Sequence, residues 1–250
     1  MTVEGVVIPA GGASSRMVSI TRGGHKALLP LGGRPIIDHV IEEIISAGLR
    51  RITVVVPAND DSLKIHLREL QLNCGIYLSI VQQSGAGVAN AILEGASDLG
   101  CDKLLVVWCD EVFLGANRSA EVVCASEQFK EIAIALRRVP RSSHTLCGMA
   151  QAAQLPGSEK YFSVGGICEK PRENTWEGDM ASVGGYVITE RVLETLRSLS
   201  IKTHEEVPLS AALDSVARDS RIIGVEIPGI WFDCGNPDGY RRAVSAFDGR

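Results

Sequence analysis

The chain has 250 residues, 45% of them hydrophobic and 22% charged, enough for one large domain or two closely fused lobes with a sizeable core. A formal net charge of −5 argues against a dedicated nucleic-acid binder, which carries a basic excess, yet leaves room for a local basic pocket for phosphates. Seven scattered cysteines without a C-x-x-C pair read as reduced thiols. The amino terminus lacks a signal peptide's basic region, and no run approaches the roughly 18 apolar residues that span a bilayer, so a cytoplasmic protein without a membrane partner is expected.

"GVVIPA" (5–10) predicts the first strand. The long polar loop after it, "GGASSRMVSITRGGHKALLPLGGRP", gathers Arg16, Arg22 and Lys26 at that strand's carboxyl end, the edge where ligands sit in open α/β sheets. "PIIDHVIEEIISAGL" (35–49) predicts a helix, with Pro35 suited to its first turn and Gly48 near its end. The β-branched runs at 51–57, 76–82 and 103–110 predict strands covered on both faces, separated by helices near 61–72 and 88–99. This alternation predicts an α/β protein with a doubly wound, mainly parallel sheet. Beyond about residue 130 the runs 131–139, 148–155, 161–170 and 182–190 crowd together, which predicts added or antiparallel strands in a smaller β-rich lobe over the same sheet. Helices at 190–199 and near 205–218, a strand at 221–229 and a helix at 237–247 close the chain. No repeat, low-complexity tract or long linker divides it, so residues 1–250 are expected to form one domain, with one lobe to about 130 and another from 131.

The glycine loop matches neither the P-loop nor the dinucleotide-binding fingerprint. Glycines after a strand more often make a plain turn, but a turn does not need Arg16 and Lys26 ten residues apart with "ALLPLGGRP" behind them. Asp110 at a strand end equally suits a helix cap, and "WFDCG" equally suits a turn around a buried tryptophan. Glu169-Lys170 before Pro171 ordinarily reads as a solvated strand end, and Gln82-Gln83 as polar edge residues. The five histidines show no ligand spacing, and His25 is expected to ride in the mobile loop; Cys109 and Cys168 read as small packing residues.

Taken in order, these segments resemble one family. "GGASSR" and, ten residues on, "KALLPLGGRPI" are similar to the signature of sugar-1-phosphate nucleotidyltransferases, the NDP-sugar pyrophosphorylases, in particular the glucose-1-phosphate thymidylyl- and uridylyltransferases. "VQQSGAGVANAI" (81–92) resembles the segment that reads the base, and "VVWCDEVF" (106–113) the strand ending in a metal-binding aspartate. "CEKP" (168–171) resembles the motif that holds the sugar phosphate, and "WFDCGNPDGYRRA" (231–243) the one with the second metal aspartate. The resemblance spans almost the whole chain. It implies a Rossmann-like nucleotidyltransferase fold, with a nucleotide-binding lobe at about 1–130 and an acceptor-binding lobe at about 131–250.

It also implies roles. Ala10, Gly11, Gly12, Arg16, Lys26, Gln82 and Gly87 would bind the nucleoside triphosphate, and Gly148, Glu169, Lys170 and Tyr186 the phosphorylated acceptor. Asp110 and Asp233 would hold Mg²⁺, and Arg16, Lys26, Asp110, Lys170 and Asp233 would carry catalysis. The chemistry fits these residue types: glycine amides approach phosphates closely, Arg16 offers a planar fork, and Lys26 offers a mobile point charge. A glutamine amide at Gln82 matches the adjacent N–H and C=O of uracil or thymine, so UTP or dTTP is the expected donor.

The sequence departs from the family pattern at Ser14 and Ser15, where the loop usually has glycine and threonine, and at Cys109-Asp110-Glu111, where the metal strand usually ends Gly-Asp-Asn or Gly-Asp-Gln. These departures keep open a cytidylyltransferase for a non-sugar phosphate or phosphonate, and a non-catalytic nucleotide-binding regulatory relative. A homo-oligomer is compatible with the sequence, which does not specify one.

Overall fold

The computed structural model describes residues 2–12, 15–73, 75–202 and 206–249; Ser14 and Cys74 lie outside them, as does residue 205, where a helix was expected to begin. The chain opens with β1 (Gly5–Pro9), α1 (Val18–Thr21), β2 (Pro30–Leu31), β3 (Arg34–Pro35), α2 (Ile36–Ser46), β4 (Arg51–Val56), α3 (Asp61–Asn73) and β5 (Tyr77–Gln82). It continues through α4 (Val88–Leu99), β6 (Lys103–Val107), β7 (Glu111–Leu114), α5 (Arg118–Phe129), β8 (Ile132–Arg138), β9 (Gly148–Gln154) and β10 (Tyr161–Glu169). β11 (Met180–Thr189), α6 (Glu190–Lys202), α7 (Leu209–Ala217), β12 (Ile222–Glu226), β13 (Ile230–Asp233) and α8 (Pro237–Asp248) complete it.

Side chains alternate across a strand, so the continuous apolar runs of β1, β4 and β6 feed two cores. Val6, Ile8, Val54 and Leu105 pack with α2, α3, α5 and α8, while Val7, Val55, Leu104 and Val106 pack with α4, α6 and α7. Helices therefore cover both faces. Fully burying each such side chain contributes about 1.5–3 kcal/mol, which is what fixes the strands' register.

Nine strands join in the order β5-β4-β1-β6-β11-β8-β12-β10-β9. β5, β4, β1 and β6 run parallel, as the helical crossovers require. The expectation of a mainly parallel sheet fails beyond β6. β11 is antiparallel to β6 and β8, and β10 to β12 and β9; only β8 and β12 add a further parallel pair. The sheet is mixed because β9 and β10 follow one another through a short connection and pair antiparallel, while β11 inserts antiparallel between β6 and β8. β9 also pairs with β11, so the later strands extend the same sheet.

Two further features are not apparent from the sequence. The apolar run at 103–110 ends as a strand at Val107, turns through Cys109-Asp110, and resumes as β7. β7 then pairs antiparallel with β13 in a separate two-stranded ribbon, with Asp233 opposite Glu111. Helix α5 is hidden because its buried face includes Arg118, Ser119 and Ser126, held by Glu43 and the Glu131 carbonyl rather than by apolar contact alone. Among the described residues no helix is long and apolar enough to cross a membrane.

Candidate functional site

The carboxyl ends of β1, β5 and β6 open onto a cleft of about 760 Å³, closed on its other side by β9, β10, β11 and the ribbon. Gly11, Gly12, Arg16, Lys26, Gly87, Asp110, Gly148, Glu169, Lys170, Tyr186 and Asp233 all line it. The fold thus gathers most of the sequence-predicted residues from segments far apart in the chain.

At the floor the ribbon register sets Asp233 next to the Asp110 turn, and the Cys234 N–H donates to the Asp110 carbonyl at 2.8 Å. Gly235 lies against both carboxylates. A Cβ there would sit 2.3 Å from Asp110 Oδ2 and 2.9 Å from Asp233 Oδ1, so only glycine lets the two acids share this space. Asp233 is oriented by the Gly235 N–H on Oδ1 and the Asn236 amide on Oδ2, each at 2.8 Å. Asn236 in turn accepts the Gly239 N–H at 2.8 Å and caps α8. Burial and the neighbouring Asp110 raise the Asp233 pKa, partly opposed by Asn236, Gly235 and Arg16. Lys26 Nζ lies 2.6 Å from Asp110 Oδ2. Burial alone would lower its pKa, but Asp110 more than reverses that, so Lys26 stays protonated.

The loop that carries Lys26 is pinned, which corrects the expectation of a mobile His25. His25 is buried, with Nε2 2.7 Å from the Ala10 carbonyl and Nδ1 accepting the Ala27 N–H at 3.1 Å. The neutral Nε2–H tautomer satisfies both bonds, consistent with a pKa lowered by burial. Ala10 also differs from expectation. It is fully buried and does not line the cleft; its N–H and C=O are committed to Val55 and His25, so it anchors the loop. Gly12 faces Lys26, whose Nζ would lie 3.7 Å from a Cβ at that glycine.

Gln82 is a third departure from expectation, since it does not line the cleft. It is exposed and still paired with Val56 in β5, whereas Gln83, one residue on, faces the cleft. Successive side chains point to opposite faces, so a one-residue difference exchanges solvent for site. Gln83 Nε2 donates to the Gly87 carbonyl at 2.8 Å, and its Oε1 rests where a Cβ on Gly11 would have to go.

On the opposite wall Glu169 accepts the Ser210 hydroxyl at 2.9 Å, and Lys170 Nζ lies 3.3 Å from Glu169 Oε1. Lys170 holds a left-handed φ of 45°, with its N–H on the Cys147 carbonyl at 3.0 Å. Such a conformation is unfavourable for a side-chain residue and persists only where the surroundings impose it. Gly148 packs so closely that a Cβ would meet Ser182 Oγ at 2.9 Å and Glu169 Oε2 at 3.1 Å. Cys109 is a buried packing residue, its thiol pushed up to about 12 by burial.

Sequence reasoning missed Gln83, Trp231, Ser182, Ser210 and Glu206, all of which line the cleft. Glu206 Oε1 accepts the Val88 N–H at 3.1 Å, capping α4 where Gly87 has no side chain to do so. Nothing local announces that contact, because it joins segments more than a hundred residues apart.

A family model described as nucleotidyl transferase matches residues 5–248. The UTP–glucose-1-phosphate uridylyltransferase of Pseudomonas aeruginosa is 24% identical, over 97% of this chain and 95% of that protein. A crystal structure of UDP-glucose pyrophosphorylase complexed with UDP-glucose superposes with a TM-score of 0.88 at 23% identity, covering 99% of both chains. A putative glucose-1-phosphate thymidylyltransferase from Bacillus anthracis gives 0.79 at 20% identity, over 98% of this chain and 95% of that one. The glycine loop facing Lys26, the paired aspartates and the near full-length match lead to one assignment: the chain belongs to the nucleotidyl transferase family and has its α/β fold.

Proposed function

We propose that the protein joins UTP or dTTP to a sugar 1-phosphate, giving an NDP-sugar and pyrophosphate, and that it does so in the cytoplasm. The observation that carries this reading is a single cleft in which Gly12 and Lys26, the Asp110–Asp233 pair and Glu169-Lys170 face one another. In this reading residues 1–130 hold the nucleotide and residues 131–250 the acceptor. The names of the relatives and structural neighbours support the same substrates.

An oxygen of the acceptor phosphate attacks the α-phosphorus, the bond to the bridging oxygen breaks, and pyrophosphate leaves with the electron pair. A phosphate monoester's second pKa is about 6, so the nucleophile is already ionised near neutral pH and no general base is required. The protein's task is positioning and charge neutralisation. The backbone amides of Gly11 and Gly12 approach the phosphates, and Arg16 and Lys26 neutralise them. Lys170 holds the acceptor phosphate and Glu169 orients a sugar hydroxyl, with Gly148 and Tyr186 shaping the sugar's space.

The donor set suits magnesium. Asp110 and Asp233 offer hard carboxylate oxygens side by side, and the single charge of Lys26 beside Asp110 balances only one of the two, leaving the pair suited to a further cation. Among the described residues no cluster of three His, Cys, Asp or Glu side chains forms a complete ligand set, so water and substrate phosphate oxygens would supply the remaining ligands. Bound there, Mg²⁺ would offset charge on the transferred phosphate.

Gln83 takes over the base-reading role first expected of Gln82. Its amide offers one donor and one acceptor to the matching edge of uracil or thymine. With glucose 1-phosphate and an equimolar mixture of UTP, dTTP, CTP, ATP and GTP, uracil- or thymine-containing sugar nucleotides should dominate the product masses. Gln83→Ala should narrow that preference by about 10-fold, one hydrogen-bonded edge being worth about 1 kcal/mol or slightly more. A product dominated by ADP- or GDP-sugar would refute the base assignment.

Lys170 is placed at the acceptor and not at the triphosphate. Lys170→Ala should raise KM for the sugar phosphate by roughly 10- to 100-fold, a charge-assisted hydrogen bond contributing about 1.5–3 kcal/mol. The Kd for UTP, measured by calorimetry, should stay within about 2-fold on the same argument. Equal loss for both substrates would show the assignment to be wrong.

A further inference from the structure

Glu111 stands beside Asp110 and directly across the ribbon from Asp233. One of its oxygens, Oε2, accepts two bonds: from the Trp231 indole N–H at 2.7 Å and from the Gly184 backbone N–H at 2.9 Å. Trp231 belongs to β13 of the ribbon, and Gly184 to β11 of the main sheet. The register of β11 against β8 shifts between Ser182 and Tyr186, and at that irregularity the Gly184 N–H goes to Glu111 instead of the neighbouring strand. Ser182 and Tyr186, on either side of Gly184, both line the acceptor end of the cleft. β11 is tightly set there, since a Cβ on Gly184 would lie 2.4 Å from the Trp108 ring, and that ring packs 5.3 Å from Tyr186.

We propose that Glu111 is a positioning residue: through this one oxygen it staples the aspartate-bearing ribbon to the bulge of β11, and so fixes the distance between the Asp110–Asp233 pair and the acceptor wall. This rests on the reading above that both act in one transfer. The staple needs an acceptor oxygen at the right reach and does not need a negative charge. Glutamine can supply that oxygen, because an amide carbonyl accepts two bonds. Aspartate keeps the charge but is one methylene shorter and cannot span both donors.

Four proteins decide it: wild type, Glu111→Gln, Glu111→Asp and Glu111→Ala, assayed with UTP and glucose 1-phosphate. A misplacement near 1 Å costs about 100-fold in turnover, so Asp and Ala should lose kcat by about that factor with KM for UTP little changed. Gln should remain within roughly 5-fold of wild type, since it preserves the geometry. The chain has three tryptophans, and Trp231→Phe identifies which indole N–H resonance belongs to Trp231. That resonance should keep its wild-type position in the Gln variant and move upfield in the Asp and Ala variants. An Asp variant more active than the Gln variant would overturn the proposal, because charge, as in a further metal ligand, would then be what matters. So would an indole resonance that is indifferent to residue 111. Wild-type protein silent with every donor and acceptor would instead refute the transfer reading, while the indole shift would still test the staple. If the Ala variant does not fold, the contrast between Gln and Asp separates the two outcomes in the same way.

Discussion

Asp110→Asn and Asp233→Asn variants should each lose about two to three orders of magnitude in kcat, the loss typical of removing an electrostatic stabiliser of the transition state. Asp233→Asn should fold like the parent, whereas Asp110→Asn also breaks the ion pair with Lys26 and should be less stable. The two carboxylates flank Gly235 closely, and burial together with the neighbouring Asp110 raises the Asp233 pKa. Neutralising Asp233 relieves that conflict. At Asp233 the change also surrenders one of the two bonds from Gly235 and Asn236, worth about 0.5–1.5 kcal/mol, so the effects on stability nearly cancel. For Asp233→Asn, thermal unfolding within a few degrees of wild type, combined with a collapsed turnover, is the expected pairing. Normal turnover of both variants at saturating magnesium would refute a shared role.

Lys26→Met should be damaging in both respects. The ammonium lies between Gly12 and Asp110, 2.6 Å from the carboxylate, with side-chain exposures of only 16% and 12%. Removing one partner of a fully buried pair costs about 3–5 kcal/mol, and the residual exposure here places the expectation toward the lower end. Turnover should fall by about 10²–10³-fold as well, since the phosphates lose a preorganised cation at the point where negative charge accumulates. Denaturant titration and steady-state kinetics on the same preparation check both numbers. A variant as stable as wild type would show that the ion pair contributes little; one as active would remove Lys26 from the phosphate site.

The parts of the site legible in the sequence are those whose chemistry constrains residue type at a strand end. Glycines after β1, a cation ten residues beyond Arg16, an aspartate closing each of two apolar runs, and Glu169-Lys170 before Pro171 all fall on one cleft. The choice between Gln82 and Gln83 was not legible, because adjacent identical residues differ only in the face the pleat gives them. Nor was the direction of the later strands, since apolar runs read alike whether a partner is parallel or antiparallel. The β7–β13 ribbon was invisible for a related reason: each strand has four residues, and they are brought together by tertiary structure alone. The same holds for Glu206 on the end of α4 and for His25, whose buried bond to Ala10 turns a polar loop into a pinned one.

Pyrophosphate release, followed together with product mass, measures the proposed reaction itself. Wild-type protein with magnesium would be given UTP or dTTP and a panel of sugar 1-phosphates, alongside phosphonate and non-sugar phosphate acceptors. The expected result is a UDP- or dTDP-sugar formed in equal amount to the pyrophosphate released. Triphosphate binding with no product from any acceptor, or products formed only from CTP with non-sugar acceptors, would contradict it.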